Sequence, residues 1–295
     1  SRSALQTDRK VRSISSFISK KIATKLKDLL KNEPEFYADI WNSISAFIKI
    51  GVIEDEKFAD LVEPSVLFET KINDKSKVKE LLKNKTLIEK NEKLFTTLEN
   101  YQNRNKKDNN NKVLYCSDVI SQSNALNLWL SKENEVLIAD PLIDSQFLPW
   151  LESKNSIYQF QRVDADIDES DEKNEKEIVD KDGNSSSDKI KALFVEALSN
   201  EKITVKVQSI NNKNAPPAMI LLPEQMRRIN DMGAYMEQKI PGLPEYHVLL
   251  VNKDHPIVSG LSKISNKKVI TGKSDDNNKL SEKVVNHIYD MAKLS

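Results

Sequence analysis

The sequence predicts an α/β part followed by an α+β part, and three observations carry that expectation. Apolar residues recur at helical spacing over 5–31 and 35–49. Strand-like and helical stretches alternate from 113 to 163. An acidic tract then separates these from a second mixture of helices and strands.

The chain has 295 residues, enough for about two domains at roughly 100–200 residues each. Its 45 Lys and Arg balance 45 Asp and Glu. A zero net charge removes the basic excess that nucleic-acid or anionic-membrane partners require, so neither is expected. The longest apolar runs, such as Ala218–Leu222 and Val248–Val251, fall far short of the ~20 residues of a membrane span. The first residues contain no apolar core of a signal peptide. A single cysteine, Cys116, rules out an intrachain disulfide and a cysteine-based zinc site, and fits a reducing cytoplasm. Only six glycines occur, and the nearest pair, Gly233 and Gly242, lies nine positions apart. A phosphate-cradling loop needs clustered glycines, so neither a P-loop nor a GxGxxG turn is present, and no GxSxG elbow either.

Taken in order, Leu5, Val11, Ile14, Ile18, Ile22, Leu26 and Leu29 form one stripe of a long helix over 5–31, with much of the remainder basic. Pro34 ends it. A second helix over 35–49 places Phe36, Ile40, Ile44, Phe47 and Ile48 on one side, and Gly51 supplies a stop. Residues 56–63 form a short third helix, completing a packed helical coil. Residues 71–112 are rich in Lys, Asn and Glu. Helical steps through Val78, Leu81, Leu82 and Leu87 predict partial order there, and 103–112 reads as a solvated loop. Strands at 113–116, 136–139 and 157–163 alternate with helices at 121–131 and 144–153, which implies a small parallel sheet.

Residues 164–188 carry eleven acids against three lysines, a net charge of −8, with Gly-Asn-Ser-Ser-Ser at 183–187. That composition predicts a flexible linker. Beyond it come a helix over 188–199 with Asp188 as N-cap, a strand through Ile203, Val205 and Val207, and a neighbouring strand at 217–222. Pro223 opens a helix to about 238. A third strand spans 246–252, a short helix 254–261, a polar loop 266–279 and a last helix 280–294 whose apolar stripe lacks an evident partner.

Self-contained chemistry is sparse. The histidines His247, His255 and His287 form no HExxH pair, so no metal site is expected. Asp254, His255 and Ser259 offer a small-hydrolase alternative, although adjacent Asp and His on one turn orient one another poorly for a triad. A scaffold that only joins partners is the third reading.

Several separated segments together resemble the 90-kDa heat-shock chaperone family, bacterial HtpG type. Ser1-Arg2-Ser3-Ala4-Leu5-Gln6 is similar to its S-R-E-x-L-Q motif, and Phe47 to Asp55 to its K-x-G-x-x-E-D stretch. Thr96-Thr97-Leu98-Glu99-Asn100-Tyr101, followed by Val113-Leu114-Tyr115, resembles T-S-L-x-x-Y … I-Y-Y. Met226-Arg227-Arg228-Ile229 and Leu250 to Pro256 resemble M-x-R-I and E-I-N-P-x-H-P. Ser3 replaces the usual glutamate, Lys253 stands where proline is common, and 71–112 is longer than the family's segment.

The resemblance implies a fragment of an ATP-dependent chaperone. Residues 1–70 would be the long helix and coil of the middle domain, and 71–163 its small αβα subdomain. Residues 164–188 would be the linker, and 189–295 an α+β dimerisation domain without its last helix. It implies that Arg2 and Gln6 contact the ATP γ-phosphate in the parent, where ATP and magnesium bind to a missing domain, so that the fragment alone has no ATPase activity. It implies client contacts at Met226, Ile229, Met232, Tyr235, Met236 and Trp150, with unfolded or partly folded proteins as partners. Val284, Val285, Ile288, Met291 and Leu294 would form part of a homodimer interface, weakened here.

Overall fold

The computed structural model describes residues 2–105, 112–165, 185–210, 215–222, 246–261 and 275–294. The chain divides into two compact units, Ser1–Ser117 with Asn134–Phe160, and Asp118–Glu133 with Gln161–Ser295.

The first unit opens with α1 (Arg2–Asn32), α2 (Pro34–Glu54) and α3 (Glu56–Val62), followed by a 3-10 turn at Glu63–Ser65. The predicted stripe on α1 is only partly used. Ala23, Leu26 and Leu29 are buried in the unit's core, whereas Val11, Ile14, Ile18 and Ile22 are exposed. Among the described side chains, those that meet the coil lie in the helix's last turns. Helix α2 does not stop at Gly51. A Cβ there would lie 3.1 Å from the Phe58 ring, so the missing side chain admits a close approach of α3. The buried face of α2 is also rotated from the expected one. Tyr37, Ala38, Trp41, Ile48, Lys49 and Val52 point inward, while Phe36 is exposed and Phe47 is 77% exposed. Polar anchoring explains the rotation: the Tyr37 hydroxyl donates to the Ser65 carbonyl at 2.8 Å, which lets the whole ring be buried. Burial pushes the Tyr37 phenol far above its ordinary pKa.

Six strands follow: β1 (Leu67–Lys71), β2 (Ile88–Lys90), β3 (Lys93–Thr97), β4 (Lys112–Cys116), β5 (Val136–Ile138) and β6 (Gln159–Arg162). Their order is β2-β3-β1-β5-β4-β6, and the first two residues of β6 belong to this unit. The sheet is mixed rather than parallel. Pairs β1–β3, β1–β5 and β2–β3 are antiparallel, and β4–β5 is parallel. Helix α4 (Lys75–Lys83) carries the predicted Val78, Leu81 and Leu82 steps while Leu87 directly precedes β2, and α5 (Leu98–Asn105) occupies the start of the predicted loop. The β2–β3 hairpin closes through Asn91 and Glu92, with φ of 51° and 62°. Two left-handed residues are what a two-residue hairpin turn requires, but Asn-Glu conceals the usual Asn-Gly signal. Helix α7 (Asp144–Lys154) completes the unit; α6 (Ser123–Ser131) belongs to the second.

The second unit adds α8 (Ser186–Leu198), β7 (Ile203–Gln208), β8 (Ala218–Leu221), β9 (His247–Asn252), a helical turn at 256–261 and α9 (Asp275–Leu294). The strand order is β7-β9-β8, with β7 parallel and β8 antiparallel to β9. The strands read as neighbours in sequence, β7 and β8, are therefore separated by β9. Every residue of β9 is buried, as suits a central strand covered on both faces. Ser185, not Asp188, caps α8. Its hydroxyl accepts from the Asp188 N–H while the Asp188 carboxylate accepts from the Ser185 N–H, a reciprocal capping box. At the start of the acidic tract the Asp164 carbonyl accepts from Leu222 N–H at 3.1 Å and Ala165 is fully buried. Residues 166–184 lie outside the described residues. Helix α9 starts earlier than predicted, and Val285, Ile288 and Ala292 join Phe194, Leu249 and Val258 in the unit's core. Part of the final stripe thus has its partner within the unit. The mixed α/β architecture with two mixed sheets agrees with the expected fold class at that coarse level.

Ile288→Ala is expected to cost about 2–5 kcal/mol, because it leaves a cavity in this core. Leu294→Ala, at an 89% exposed site, should stay within about 0.5 kcal/mol. Urea denaturation of both variants checks the contrast; equal losses would contradict the packing of α9.

Candidate functional site

The most constrained side chains of the first unit centre on Lys49 of α2. Its Nζ lies 2.6 Å from Asp144 Oδ1 of α7, and both side chains are buried. The second oxygen of Asp144 accepts the Asp140 N–H at 2.7 Å. The ammonium also sits 5.0 Å from the Phe68 ring centre and 5.6 Å from that of Phe147. A buried ammonium is tolerable when paired and faced by aromatic rings, and both conditions hold here. Phe68 and Phe147 stack at 6.3 Å, and Phe147 stacks on Trp150 at 5.9 Å and 10°. Trp150 is half-buried, with Lys154 Nζ 5.2 Å from its ring centre. Lys154 in turn pairs with Asp60 at 2.7 Å. A row of cations and rings therefore runs from the core to the surface along α7.

A second cluster surrounds Glu135, which is fully buried. Arg104 binds both of its oxygens, Nη2 to Oε1 at 2.7 Å and Nε to Oε2 at 3.0 Å. Thr70 and Asn105 donate to the same carboxylate. The Tyr101 hydroxyl donates to the Glu135 carbonyl and accepts from Leu114 N–H, both at 3.0 Å, linking β4 to the start of β5. The Thr97 hydroxyl accepts from Asn100 N–H at the start of α5. These contacts give the Thr96-to-Tyr101 motif a structural role.

The sequence-predicted residues fall in different places. Arg2 and Gln6 lie in the first two turns of α1. Met226, Ile229, Met232, Tyr235 and Met236 lie outside the described residues. Trp150 is half-buried on the aromatic row. On α9, Val285 and Ile288 are in the core, Val284 is partly buried against it, and Met291 and Leu294 are exposed. His247 is buried and stacked on Tyr289, with Nε2 2.9 Å from its hydroxyl. Burial raises the Tyr289 pKa above its ordinary value, with opposing smaller effects from Lys293 and Asp290. Asp254 accepts from the Ser209 hydroxyl, and His255 Nδ1 accepts from Ile257 N–H, so both have local structural partners. Among the described residues no group of three or more His, Cys, Asp or Glu could hold a metal ion, and no helix is long and apolar enough to cross a membrane. Sequence reasoning did not foresee the Lys49–Asp144 or Arg104–Glu135 pairs, because nothing in spacing announces partners so distant in the chain.

The described residues thus form two mixed sheets whose helices are braced by buried ion pairs and stacked rings. The family model for the Hsp90 protein matches residues 1–295, and the chain belongs to the Hsp90 family. It is 30% identical over 275 residues to the chaperone protein htpG of Bacteroides fragilis (strain YCH46), covering 88% of this chain and 36% of that protein. The chaperone protein HtpG of Bacteroides thetaiotaomicron is 28% identical over 268 residues, and that of Bdellovibrio bacteriovorus 24% over 271 residues. The chain spans 36% of the length of the Bacteroides relatives and 40% of the Bdellovibrio one.

Lys49→Ala is expected to destabilise the first unit by about 3–5 kcal/mol, since it strands the Asp144 carboxylate in the core. Lys49→Met combined with Asp144→Leu should cost far less. Denaturant midpoints of the single and double variants test this; a single variant as mild as a surface change would disprove the buried pair.

Proposed function

We propose that this chain is the middle and C-terminal part of an ATP-dependent molecular chaperone that binds non-native proteins. The observation that carries the reading is the Hsp90 family match along all 295 residues, together with HtpG relatives of which this chain spans only part. In the parent polypeptide Arg2 reaches the γ-phosphate of ATP, held with magnesium in another domain, and Gln6 sits beside it one helical turn on. A guanidinium suits that task because its fixed charge and paired donors match phosphoryl oxygens as negative charge develops. On this reading the chain by itself hydrolyses no ATP.

Client contact falls to adaptable apolar surface. Met226, Met232 and Met236, with Ile229 and Tyr235, supply unbranched, polarizable side chains suited to varied sequences. Trp150 offers a flat aromatic face on the first unit. Dimerisation falls to α9, where Leu280, Met291 and Leu294 are exposed while Val284, Val285 and Ile288 hold the helix to its own sheet. The net charge of zero, the single buried Cys116 and the absence of a membrane-crossing helix among the described residues are compatible with a cytoplasmic setting.

In an aggregation assay with a thermally unfolded model protein, the chain is expected to suppress light scattering in proportion to its concentration; no suppression would refute client binding. In the full-length parent, Arg2→Ala should lower ATP hydrolysis by roughly 10³-fold or more, as for other phosphoryl-transfer arginines. Hydrolysis at the normal rate would remove Arg2 from the mechanism. Multi-angle light scattering across a tenfold concentration range should show a monomer–dimer equilibrium, and a mass independent of concentration would contradict the weakened interface.

A further inference from the structure

A cleft of about 150 Å³ opens on the first unit beside the 3-10 turn, the start of α5 and α7. Its floor is apolar and buried, formed by Val66, Phe68, Phe147 and Leu151. The same Phe147 ring continues to Trp150, so the floor belongs to the aromatic row anchored by Lys49. The mouth has the opposite character. Glu63 and Glu99 stand on it with the Tyr158 phenol. Burial, and then the negative charge of Glu63 and Glu99, raises the Tyr158 pKa, which agrees with both carboxylates facing the phenol. Lys154 lies 3.7 Å from Glu63 and pairs more closely with Asp60, at 2.7 Å. Asp60 and Glu63 thus share the Lys154 ammonium, Glu99 adds a further carboxylate at the mouth, and acids outnumber that cation there.

Size and charge together select an occupant. Small-molecule sites start at ~300 Å³, so a nucleotide or cofactor does not fit. An apolar cavity of roughly 150 Å³ takes a benzene-sized guest, the scale of one side chain. Carboxylates at the entrance favour cations beside that side chain and oppose anions there. We infer that the cleft receives a single aliphatic or aromatic side chain from an extended segment of a non-native protein in which Lys or Arg flanks that residue. The inference rests on the client-binding reading and gives it a sequence preference. It also assigns Glu63 and Glu99 the selection of basic flanks, which the apolar floor alone cannot provide.

The test uses the whole 295-residue chain and two fluorescein-labelled peptides, one with a leucine between arginines and one with the same leucine between glutamates. Fluorescence anisotropy should show about tenfold tighter binding of the arginine-flanked peptide at low salt, with the difference shrinking as salt rises. Glu99→Lys combined with Glu63→Gln changes only groups at the mouth and should abolish or invert the preference without altering the circular-dichroism melting curve. Replacing the leucine by aspartate in the arginine-flanked peptide should remove binding. Equal affinity for the two peptides, or a preference that survives the double variant, overturns the inference. A chain that suppresses aggregation while treating both peptides alike sinks the cleft and leaves the chaperone reading standing. A cleft-dependent preference in a chain that suppresses no aggregation does the reverse.

Discussion

The Lys49–Asp144 pair is the constraint on which the first unit depends. It joins α2 to α7 across 95 residues of sequence, and neither group meets bulk water. Such a pair adds little to stability over apolar replacements of the same shape, but losing one member is expensive, so the partners hold one geometry. Phe68 and Phe147 line the ammonium, and Trp150 lies flat on Phe147. The exposed end of this row is therefore set by a charge in the core. Losing Lys49 would remove this electrostatic tie between α2 and the α7 rings.

The sheet is secured by another long-range device. Glu135 is fully buried and takes donors from Arg104, Thr70 and Asn105, which tie α5 and β1 to the start of β5. With all these donors present the buried charge is tolerable, and removing one would leave the rest under-satisfied. The second unit uses a milder arrangement: His247 of β9 stacks on Tyr289 of α9 and meets its hydroxyl. Both units thus fasten helices to sheets by buried polar contacts as well as by apolar packing. The surfaces left over, including the exposed Phe47, Leu280 and Leu294, are free of that structural duty.

Much of the element order was legible because strong periodicity and punctuation agreed. Pro34 separates α1 from α2, and the alternation of Ile203, Val205 and Val207 marks β7. The failures have particular causes. Phe36 and Phe47 drew the inward face of α2 toward themselves, whereas Tyr37 and Lys49 won burial through polar partners far along the chain. Gly51 looked like a helix end because close packing against Phe58 is invisible in one dimension. The β2–β3 hairpin hid behind an Asn-Glu turn and a lysine-rich surface. Strand order in the second sheet was missed because β9 enters between two strands that precede it. Family membership was legible in short motifs. The roles of Thr97, Tyr101 and Asn252 inside those motifs were not, since each is fixed by a backbone group that folding brings to it.

The proposed function requires that the first unit, braced by the buried Lys49–Asp144 pair, present a prepared surface to non-native proteins. Amide and indole NMR shifts of the chain, titrated with a permanently unfolded model protein, address it most directly. Shifts are expected at Trp150, Tyr158 and their neighbours and along Met226, Met232 and Met236, with the amides of Lys49 and Asp144 unmoved. Uniform loss of signal dispersion, or shifts that begin at the Lys49–Asp144 pair, would contradict it.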